Sequence, residues 1–225
     1  MGVELVAVTR MLGYNDQLAL ARKPKLPHGW IPDVIIGHGR ITGPAAACLA
    51  EDHFPNARRL HVIHMAPDEI EWHKPDRADD AGARAAERTR IECDLARSAT
   101  FTAAVGPRLY DRFLNELAPF GVKLLRIDPG FDDSDITPMG PPPGKPFKIL
   151  VAGRTEDLEL KGLDIASSAF GAVQDLWTGE EELELVVRGA PVGQAGMLRT
   201  QLIEFSGRAS ANIVVRPYDL SLIHI

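Results

Sequence analysis

The chain has 225 residues, enough for one large domain or two small ones. Its hydrophobic content of 45% and charged content of 25% are ordinary for a globular protein, and its net charge of -6 argues against a nonspecific nucleic-acid binder. No apolar run approaches the ~20 residues that span a bilayer, and the N-terminus lacks the cationic region of a signal peptide. We therefore expect a cytoplasmic protein, with a peripheral membrane contact left open.

In the first half of the chain, short apolar runs alternate with helical patterns. Runs rich in β-branched residues predict strands at Val3–Thr9, Asp33–Gly37, Leu60–His64, Thr100–Val105 and Val122–Ile127. The sequence between them predicts helices at Pro44–Asp52, Ala81–Ala99 and Pro107–Leu117. The glycine-rich Gly37-His38-Gly39 predicts a turn that ends the second strand. This alternation favours βαβ units and a mostly parallel sheet.

A proline-rich segment, Pro138–Pro146, predicts an interdomain linker, because prolines cannot continue a helix or a central strand. The alternation then restarts, with strands predicted at Lys148–Ala152, Leu183–Arg188 and Asn212–Arg216 and helices at Gly162–Trp177 and Gly196–Phe205. The first of these helices is predicted to pack through Leu163, Ala166, Phe170, Val173 and Trp177. The sequence thus predicts an N-terminal α/β domain over residues 1–137, a linker over 138–146 and a partial C-terminal domain over 147–225.

Both ends of the chain look incomplete. The second domain offers three predicted strands, fewer than a doubly wound domain normally has, and the final Leu220–Ile225 has no turn or cap that links it to what precedes. Val3–Thr9 has no preceding strand and phosphate-facing loop. We therefore expect a fragment that is inactive without the rest of its parent protein.

The segment Ile149–Gly162 (ILVAGRTEDLELKG) carries the residues best suited to a ligand. A predicted strand ends at Gly153, Arg154 follows at once, and Lys161 precedes a predicted helix. Ligands of open α/β sheets bind beyond the carboxyl ends of the strands, where a glycine allows close approach and cations attract phosphate. With the amide donors of the helix start, these residues predict a diphosphate site. On spacing alone, ordinary solvated charges explain Arg154 and Lys161 equally well.

The order strand, Gly-Arg, acidic loop, Lys-Gly and amphipathic helix resembles the donor-site segment of retaining family 4 glycosyltransferases, the group 1 glycosyl transferases of the GT-B fold. The resemblance implies two Rossmann-like domains and a nucleoside-diphosphate sugar as donor, with no other cofactor and no metal. It implies that Arg154 and Lys161 hold the donor diphosphate and offset the charge of the leaving group, with Gly153 beside them.

Other segments resemble the same family. Leu185–Pro191 (LVVRGAP) matches its next strand and glycine turn, which implies that Gly189 lies near the donor. Ile127–Asp132 (IDPGFD) matches the segment before its linker, although Pro129 stands where the family usually has asparagine. The family's acidic pair that binds the donor sugar and ribose is not found in this sequence.

The resemblance also bears on the roles of two histidines in the first domain. Leu60–His64 (LHVIH) resembles a family strand whose final histidine faces the donor sugar, which implies that His64 orients that sugar. A histidine that caps the strand or bonds to nearby backbone is the alternative. His38, in an analogous place on the preceding strand, either lines the acceptor pocket or belongs to a simple turn.

Two acidic clusters suggest metal binding, but other interpretations fit them better. Asp132-Asp133-Ser134-Asp135 mimics a metal-binding motif, although its place before the linker favours a solvated turn. The second cluster fits no standard zinc spacing, and we expect it to hold acceptor hydroxyls instead; it comprises Asp68, Glu69, Glu71, His73 and Asp76.

These features predict a glycosyltransferase that moves a hexosyl group from a nucleoside-diphosphate sugar to an acceptor hydroxyl, with retention at the anomeric carbon. The expected catalytic residues are Arg154, Lys161 and His64, and the expected donor-binding residues are Gly153, Arg154, Lys161 and Gly189. Two alternatives stay open: a sugar-nucleotide epimerase of the same architecture, and a noncatalytic module that binds nucleotide sugars.

Overall fold

A computed structural model describes residues 3–8, 12–13, 15–74, 79–130 and 146–217. The chain divides into two compact units, Met1–Gly130 and Phe131–Ile225. The predicted linker Pro138–Pro146 lies outside the described residues except for Pro146, so the predicted domain limits stay predictions. The acidic run 132–135, Asp76 and the terminal Leu220–Ile225 also lie outside them.

The first unit is built on a parallel sheet with helices between its strands. Its described strands are adjacent in chain order, and each pairing is parallel: β1 (Val34–His38), β2 (Arg58–Ile63), β3 (Phe101–Val105) and β4 (Leu124–Ile127). Its helices are α1 (Asp16–Ala19), α2 (Gly39–Cys48), α3 (Pro67–Ile70), α4 (Ala81–Arg97) and α5 (Pro107–Leu117). A π-helical turn (Leu49–His53) extends α2, and 3-10 turns lie at Pro27–Gly29, Glu71–His73 and Ala118–Phe120.

The core of this unit lies where α4 and α5 cover the sheet. Its buried side chains come from the strands and from both helices: Ile63, Ala96, Ala104, Phe113, Leu117 and Leu124. The predicted limits of α4 and α5 hold to within two residues, because proline at the first position of α5 and the regular apolar spacing of both helices are local signals.

The predicted strand Val3–Thr9 is wrong for the residues that the structure describes. Residues 3–8 form no strand, and the side chains of Val3 and Leu5 are 94% and 93% exposed. A strand needs a partner for its backbone hydrogen bonds, and within the described sheet β1 pairs only with β2. Without such a partner, this apolar run forms no strand and leaves its side chains exposed.

The start of the second helix also differs from the prediction. β1 runs through His38, and α2 begins at Gly39 with no intervening turn, so Pro44 lies inside the helix rather than in its first turn. The carboxylate of Glu92 fixes this early start: its Oε1 accepts the N–H of Arg40 at 2.6 Å. Such a cap comes from a residue far along the chain and leaves no local sequence signal.

The second unit repeats the pattern. Strands β5 (Phe147–Ala152), β6 (Leu183–Ala190) and β7 (Ile213–Pro217) pair in parallel in that order, with helices α6 (Leu163–Leu176) and α7 (Ala195–Ser206) and a 3-10 turn at Thr155–Asp157. Its core comprises buried side chains of α6, β6, α7 and β7, among them Leu163, Phe170, Leu185, Val187, Leu202 and Ile213.

The predicted packing face of α6 is only partly right. Leu163 and Phe170 are buried, but Val173 and Trp177 are exposed, and Ser167 and Gly171 take their places in the interface. A Cβ on Gly171 would lie 2.0 Å from the carbonyl oxygen of Ser206, so α6 crosses α7 at a distance that only glycine permits. The close approach of a second helix therefore rotates the buried face.

Both units show alternating strands and helices on parallel sheets, which is the Rossmann-like α/β fold that the sequence predicts. Of the helices in the described part of the chain, none has the length and hydropathy that crossing a bilayer requires.

Candidate functional site

In the second unit, two glycines meet at the carboxyl edge of the sheet. The register pairs Ala152 with Arg188, which sets Gly153 beside Gly189. Gly189 has a φ of 122°, and a Cβ on it would lie 1.9 Å from the carbonyl oxygen of Gly153. The N–H of Gly153 donates to the carbonyl of Arg188 at 3.0 Å, so the loop after β5 is fastened to the end of β6.

The side of Gly153 that a Cβ would occupy is open. A Cβ there would meet no described atom within 4 Å, in contrast to Gly189. The buried Thr155 anchors the loop from below, because its hydroxyl donates to the carbonyl of Gly189 at 3.3 Å. The loop is thus held in place at its base and leaves room above Gly153.

The two predicted cations flank this loop. Arg154 follows Gly153 in an extended conformation and is exposed, and Lys161, also exposed, stands two residues before α6. Gly162 between Lys161 and the helix has a φ of +66°, the left-handed conformation that glycine adopts without strain. The structure therefore places Arg154 and Lys161 on one connection between a strand and a helix.

The start of α6 offers fewer amide donors than the sequence predicts. The N–H of Leu163, the first helical residue, donates to the carbonyl of Leu158 at 3.0 Å. That group is not available to a ligand, so any backbone donors for an anion must come from Asp164 onward. The negative side chain of Asp164 in this first turn reduces the attraction for an anion further.

In the first unit, two histidines meet at the carboxyl edge of the sheet. The register pairs His38, the last residue of β1, with Val62, so His64 lies two residues further along at the same edge. Nδ1 of His38 and Nε2 of His64 are 2.5 Å apart, the ring centroids are 4.8 Å apart, and the ring planes are inclined by 22°. The distance between the ring centroids equals the distance between the two nitrogens plus about two ring radii. The nitrogens therefore lie between the two rings, which face each other edge to edge, as in a hydrogen-bonded pair.

The environment of His64 favours its neutral form. Partial loss of hydration lowers the pKa of His64, and the neighbouring His38 lowers it further, while Glu92 acts in the opposite direction. An imidazole with a pKa below its usual 6.5 is uncharged at neutral pH, and its nitrogens then act as one donor and one acceptor.

A buried pair lies beneath these histidines, and sequence reasoning missed it. Nε2 of His61 lies 3.0 Å from Oε2 of Glu92, and both side chains are almost fully buried. The other carboxylate oxygen of Glu92 holds the start of α2, as described above. Glu92, on α4, thus joins His61 of β2 to Arg40 at the start of α2. A histidine in the middle of a buried parallel strand is the sequence signal that could have pointed to it, since such a polar group needs a buried partner.

Comparison with known families decides the identity of the chain. A protein-family model described as family 4 glycosyltransferase in conflict systems matches residues 1–222. The chain belongs to this family of glycosyltransferases. A search of the curated proteins found no match. Family membership makes the protein a transferase of glycosyl groups, and the predicted roles of Arg154, Lys161, His64, Gly153 and Gly189 in this family 4 glycosyltransferase stay predictions.

Among the described residues of the acidic segment, the carboxylates of Asp68, Glu69 and Glu71 are paired. The segment contains α3 and the following 3-10 turn, and its carboxylates pair with arginines of α4 and α5. Asp68 pairs with Arg112 at 2.5 Å and Glu69 with Arg108 at 2.6 Å. The contacts fasten α3 to the helices beneath it, and the acceptor role that the sequence suggests for this segment stays a prediction.

Glu71 is the most firmly held of these carboxylates. It is buried and accepts hydrogen bonds from Lys74, Arg84 and Arg88. Burial alone would raise the pKa of Glu71, but the three cations outweigh it and lower that pKa to about 2. The carboxylate is therefore charged throughout the physiological range and serves the fold.

Within the described residues of the family 4 glycosyltransferase, no group of three or more His, Cys, Asp or Glu side chains is arranged to hold a metal ion. Its cysteines, Cys48 and Cys93, are free and half-buried. Burial raises the pKa of the Cys93 thiol, and a hydrogen bond to Asp52 raises that of Cys48, so both favour the unreactive thiol form.

Proposed function

We propose that this glycosyltransferase moves a hexosyl group from a nucleoside-diphosphate sugar to an acceptor hydroxyl, with retention of configuration at the anomeric carbon. Membership of family 4 supports glycosyltransferase activity in general. The donor class, the hexosyl group and the stereochemistry are the proposed part, and they rest on the residues at the carboxyl edges of the two sheets.

The observation that supports a nucleotide donor best is the contact of Gly153 with Gly189. It creates a fastened loop with open space above Gly153, at the sheet edge where open α/β folds bind their ligands. Arg154 is the next residue of this loop, and Lys161 lies at its end, two residues before α6. A guanidinium suits the bidentate recognition of phosphate, and an ammonium supplies a point charge, so the connection suits a diphosphate.

Arg154 and Lys161 would act on the leaving group. When the bond between the anomeric carbon and the diphosphate oxygen breaks, negative charge develops on that oxygen, and nearby cations stabilise it more than they stabilise the intact donor. The two side chains would supply that stabilisation without a further cofactor or a metal ion. His64, neutral at physiological pH, would orient the sugar through hydrogen bonds rather than through charge.

The partners that we propose are therefore a nucleotide-sugar donor and a molecule with an acceptor hydroxyl. The net charge of -6 supports no role in nonspecific nucleic-acid binding. A cytoplasmic location, with a peripheral membrane contact left open, belongs to the same proposal.

The proposal is tested by nucleoside-diphosphate binding. We expect Arg154→Ala and Lys161→Ala each to weaken the affinity for the best of uridine, adenosine and guanosine diphosphate by about tenfold or more, since each removes a charge-assisted contact. Isothermal titration calorimetry measures this directly.

Lys148→Ala is the matched control, because Lys148 lies near the opposite end of β5 and pairs with Glu184 at 3.6 Å. It should bind the nucleotide as the unchanged protein does. If Arg154→Ala and Lys161→Ala bind as well as the Lys148→Ala control, these side chains do not hold a diphosphate and the donor site is misplaced.

A further inference from the structure

The contact between His38 and His64 determines what the two rings present to a ligand. Two neutral imidazoles together carry two N–H groups and two nitrogen lone pairs. The hydrogen bond between Nδ1 of His38 and Nε2 of His64 uses one of each. One donor and one acceptor therefore remain, on Nε2 of His38 and Nδ1 of His64, whichever ring carries the shared proton.

These two outer nitrogens are open to a ligand. Both side chains are exposed, and in the part of the chain that the structure describes neither nitrogen has a hydrogen-bond partner. They lie at the carboxyl edge of a parallel sheet, the edge at which such folds bind ligands. A sugar hydroxyl both donates and accepts a hydrogen bond, so the remaining donor and acceptor match the hydroxyl groups of a carbohydrate.

We propose that His38 and His64 act as one hydrogen-bonded unit that binds hydroxyl groups of the transferred hexosyl group. His38 is then a sugar-binding residue in its own right and not part of a turn. This inference rests on the proposed function, which supplies the hexosyl group, and it extends that function to a residue and a mode of binding.

The fold holds His38 in place from below. The N–H of His38 donates to the hydroxyl of Thr42 at 2.8 Å, and the next residue, Gly39, takes a φ of +50° with the carboxylate of Glu92 beside it. Glu92 also accepts the N–H of Arg40 and contacts the buried His61. The backbone that carries His38 is thus fixed before a ligand arrives, which lowers the entropy cost of binding.

The affinity difference between a nucleoside-diphosphate hexose and the bare nucleoside diphosphate tests the inference. That difference reports the sugar and is separate from the diphosphate contacts of Arg154 and Lys161. His38→Asn keeps a side-chain oxygen that can accept from His64 but removes the outer nitrogen. We expect it to reduce the hexose-dependent part of the affinity by about five- to tenfold, because a ligand hydroxyl loses its partner.

His28→Asn is the matched control, since His28 lies in the 3-10 turn Pro27–Gly29 with its ring beside Trp30, and asparagine tolerates its positive φ. It should leave the hexose-dependent affinity unchanged. If His38→Asn behaves like this control while the protein binds sugar nucleotides, His38 supports the fold only and the inference is wrong. Failure of Arg154→Ala to weaken nucleoside-diphosphate binding is a different result and counts against the proposed function alone.

A double-mutant cycle tests whether the two rings act as a unit. In the His64→Ala background, His38→Asn should cost less than about twofold, because the unit is already broken. Full additivity would mean two independent residues and would contradict the proposal.

Imidazole nitrogen NMR on the unchanged chain completes the test. The resonances of Nδ1 of His38 and Nε2 of His64 should show a shared proton, and glucose or mannose nucleotides should shift the outer nitrogens while the bare diphosphates do not. Absence of the shared proton, or of a shift with each nucleotide sugar, overturns the inference.

Discussion

At the scale of single residues, Gly153 and Gly189 touch but are surrounded differently. Gly189 has a positive φ and a backbone oxygen where its Cβ would be, whereas Gly153 has open space. A methyl group at 189 would collide with the protein, and one at 153 would project into the space that we assign to the donor. Substitutions at the two positions therefore distinguish an effect on the stability of the fold from an effect on ligand binding.

Opposite outcomes are expected for alanine at these positions. Gly189→Ala should lower the free energy of unfolding of the second unit by about 2–3 kcal/mol, from backbone strain and the collision with Gly153. Gly153→Ala should leave that free energy within about 0.5 kcal/mol and weaken nucleotide-sugar binding instead. Urea unfolding and calorimetry on both variants distinguish the effects. Tight donor binding by a stable Gly153→Ala variant would show that no ligand approaches this backbone.

At the scale of secondary-structure elements, ion pairs fasten the short helix α3 and its 3-10 turn to α4. Glu71 is the centre of this contact, with Lys74 beside it and Arg84 and Arg88 on α4. Because the group is buried and paired, its charge is stabilised in the folded protein and not in the unfolded chain.

The low pKa of Glu71 fixes the direction of a pH effect. Its folded pKa of about 2 lies below the ordinary value of 4.5, so the stabilisation is present above about pH 4.5 and is lost as the pH falls toward 2. Glu71→Gln should therefore lower the free energy of unfolding by about 3 kcal/mol at pH 7 and by progressively less below pH 4.5.

Urea unfolding at pH 7 and at pH 3 measures this dependence. Glu87→Gln is the control, because the Glu87–Arg90 pair on α4 is solvent-exposed and should matter little at either pH. A Glu71→Gln effect of equal size at both pH values would contradict the account of Glu71 as a charged, paired carboxylate.

The sequence predicts elements best where their signals are local. The limits of α4 and α5 follow from a regular apolar spacing and a first-turn proline, and they are right to within two residues. The start of α2 is wrong because it depends on Glu92, and the face of α6 is partly wrong because Gly171 meets the backbone of α7. A short stretch of sequence around α2 or α6 does not predict such contacts, because they involve residues of distant segments.

In the candidate site too, the sequence predicts the features that have local signals and misses the contacts between distant segments. Gly153, Arg154 and Lys161 are apparent from the order of strand, loop and helix, because the end of a strand is a local feature. The contact of Gly153 with Gly189 depends on the pairing register, and the His38–His64 pair depends on the pairing of β1 with β2, which brings together two histidines that are 26 residues apart in sequence. Sequence therefore suggests single residues of the site, and the sheets bring their partners to them.

At the scale of the whole molecule, two Rossmann-like units each present polar residues at the carboxyl edge of their sheet. The family 4 match extends over residues 1–222, so both units belong to the region that defines the glycosyltransferase. One edge offers two cations beside an open glycine, and the other offers a hydrogen-bonded pair of imidazoles. The proposed roles follow unit by unit: diphosphate binding at the edge of the second unit and hydroxyl binding at the edge of the first.

Glycosyl transfer with retention is tested most directly in the intact parent protein, by following the formation of a glycoside from a nucleoside-diphosphate hexose with NMR at the anomeric carbon. We expect a product with the configuration of the donor, and a loss of turnover by orders of magnitude in Arg154→Ala and Lys161→Ala but not in Lys148→Ala. An isomerised sugar nucleotide in place of a glycoside, or near-normal turnover in both active-site variants, would contradict it.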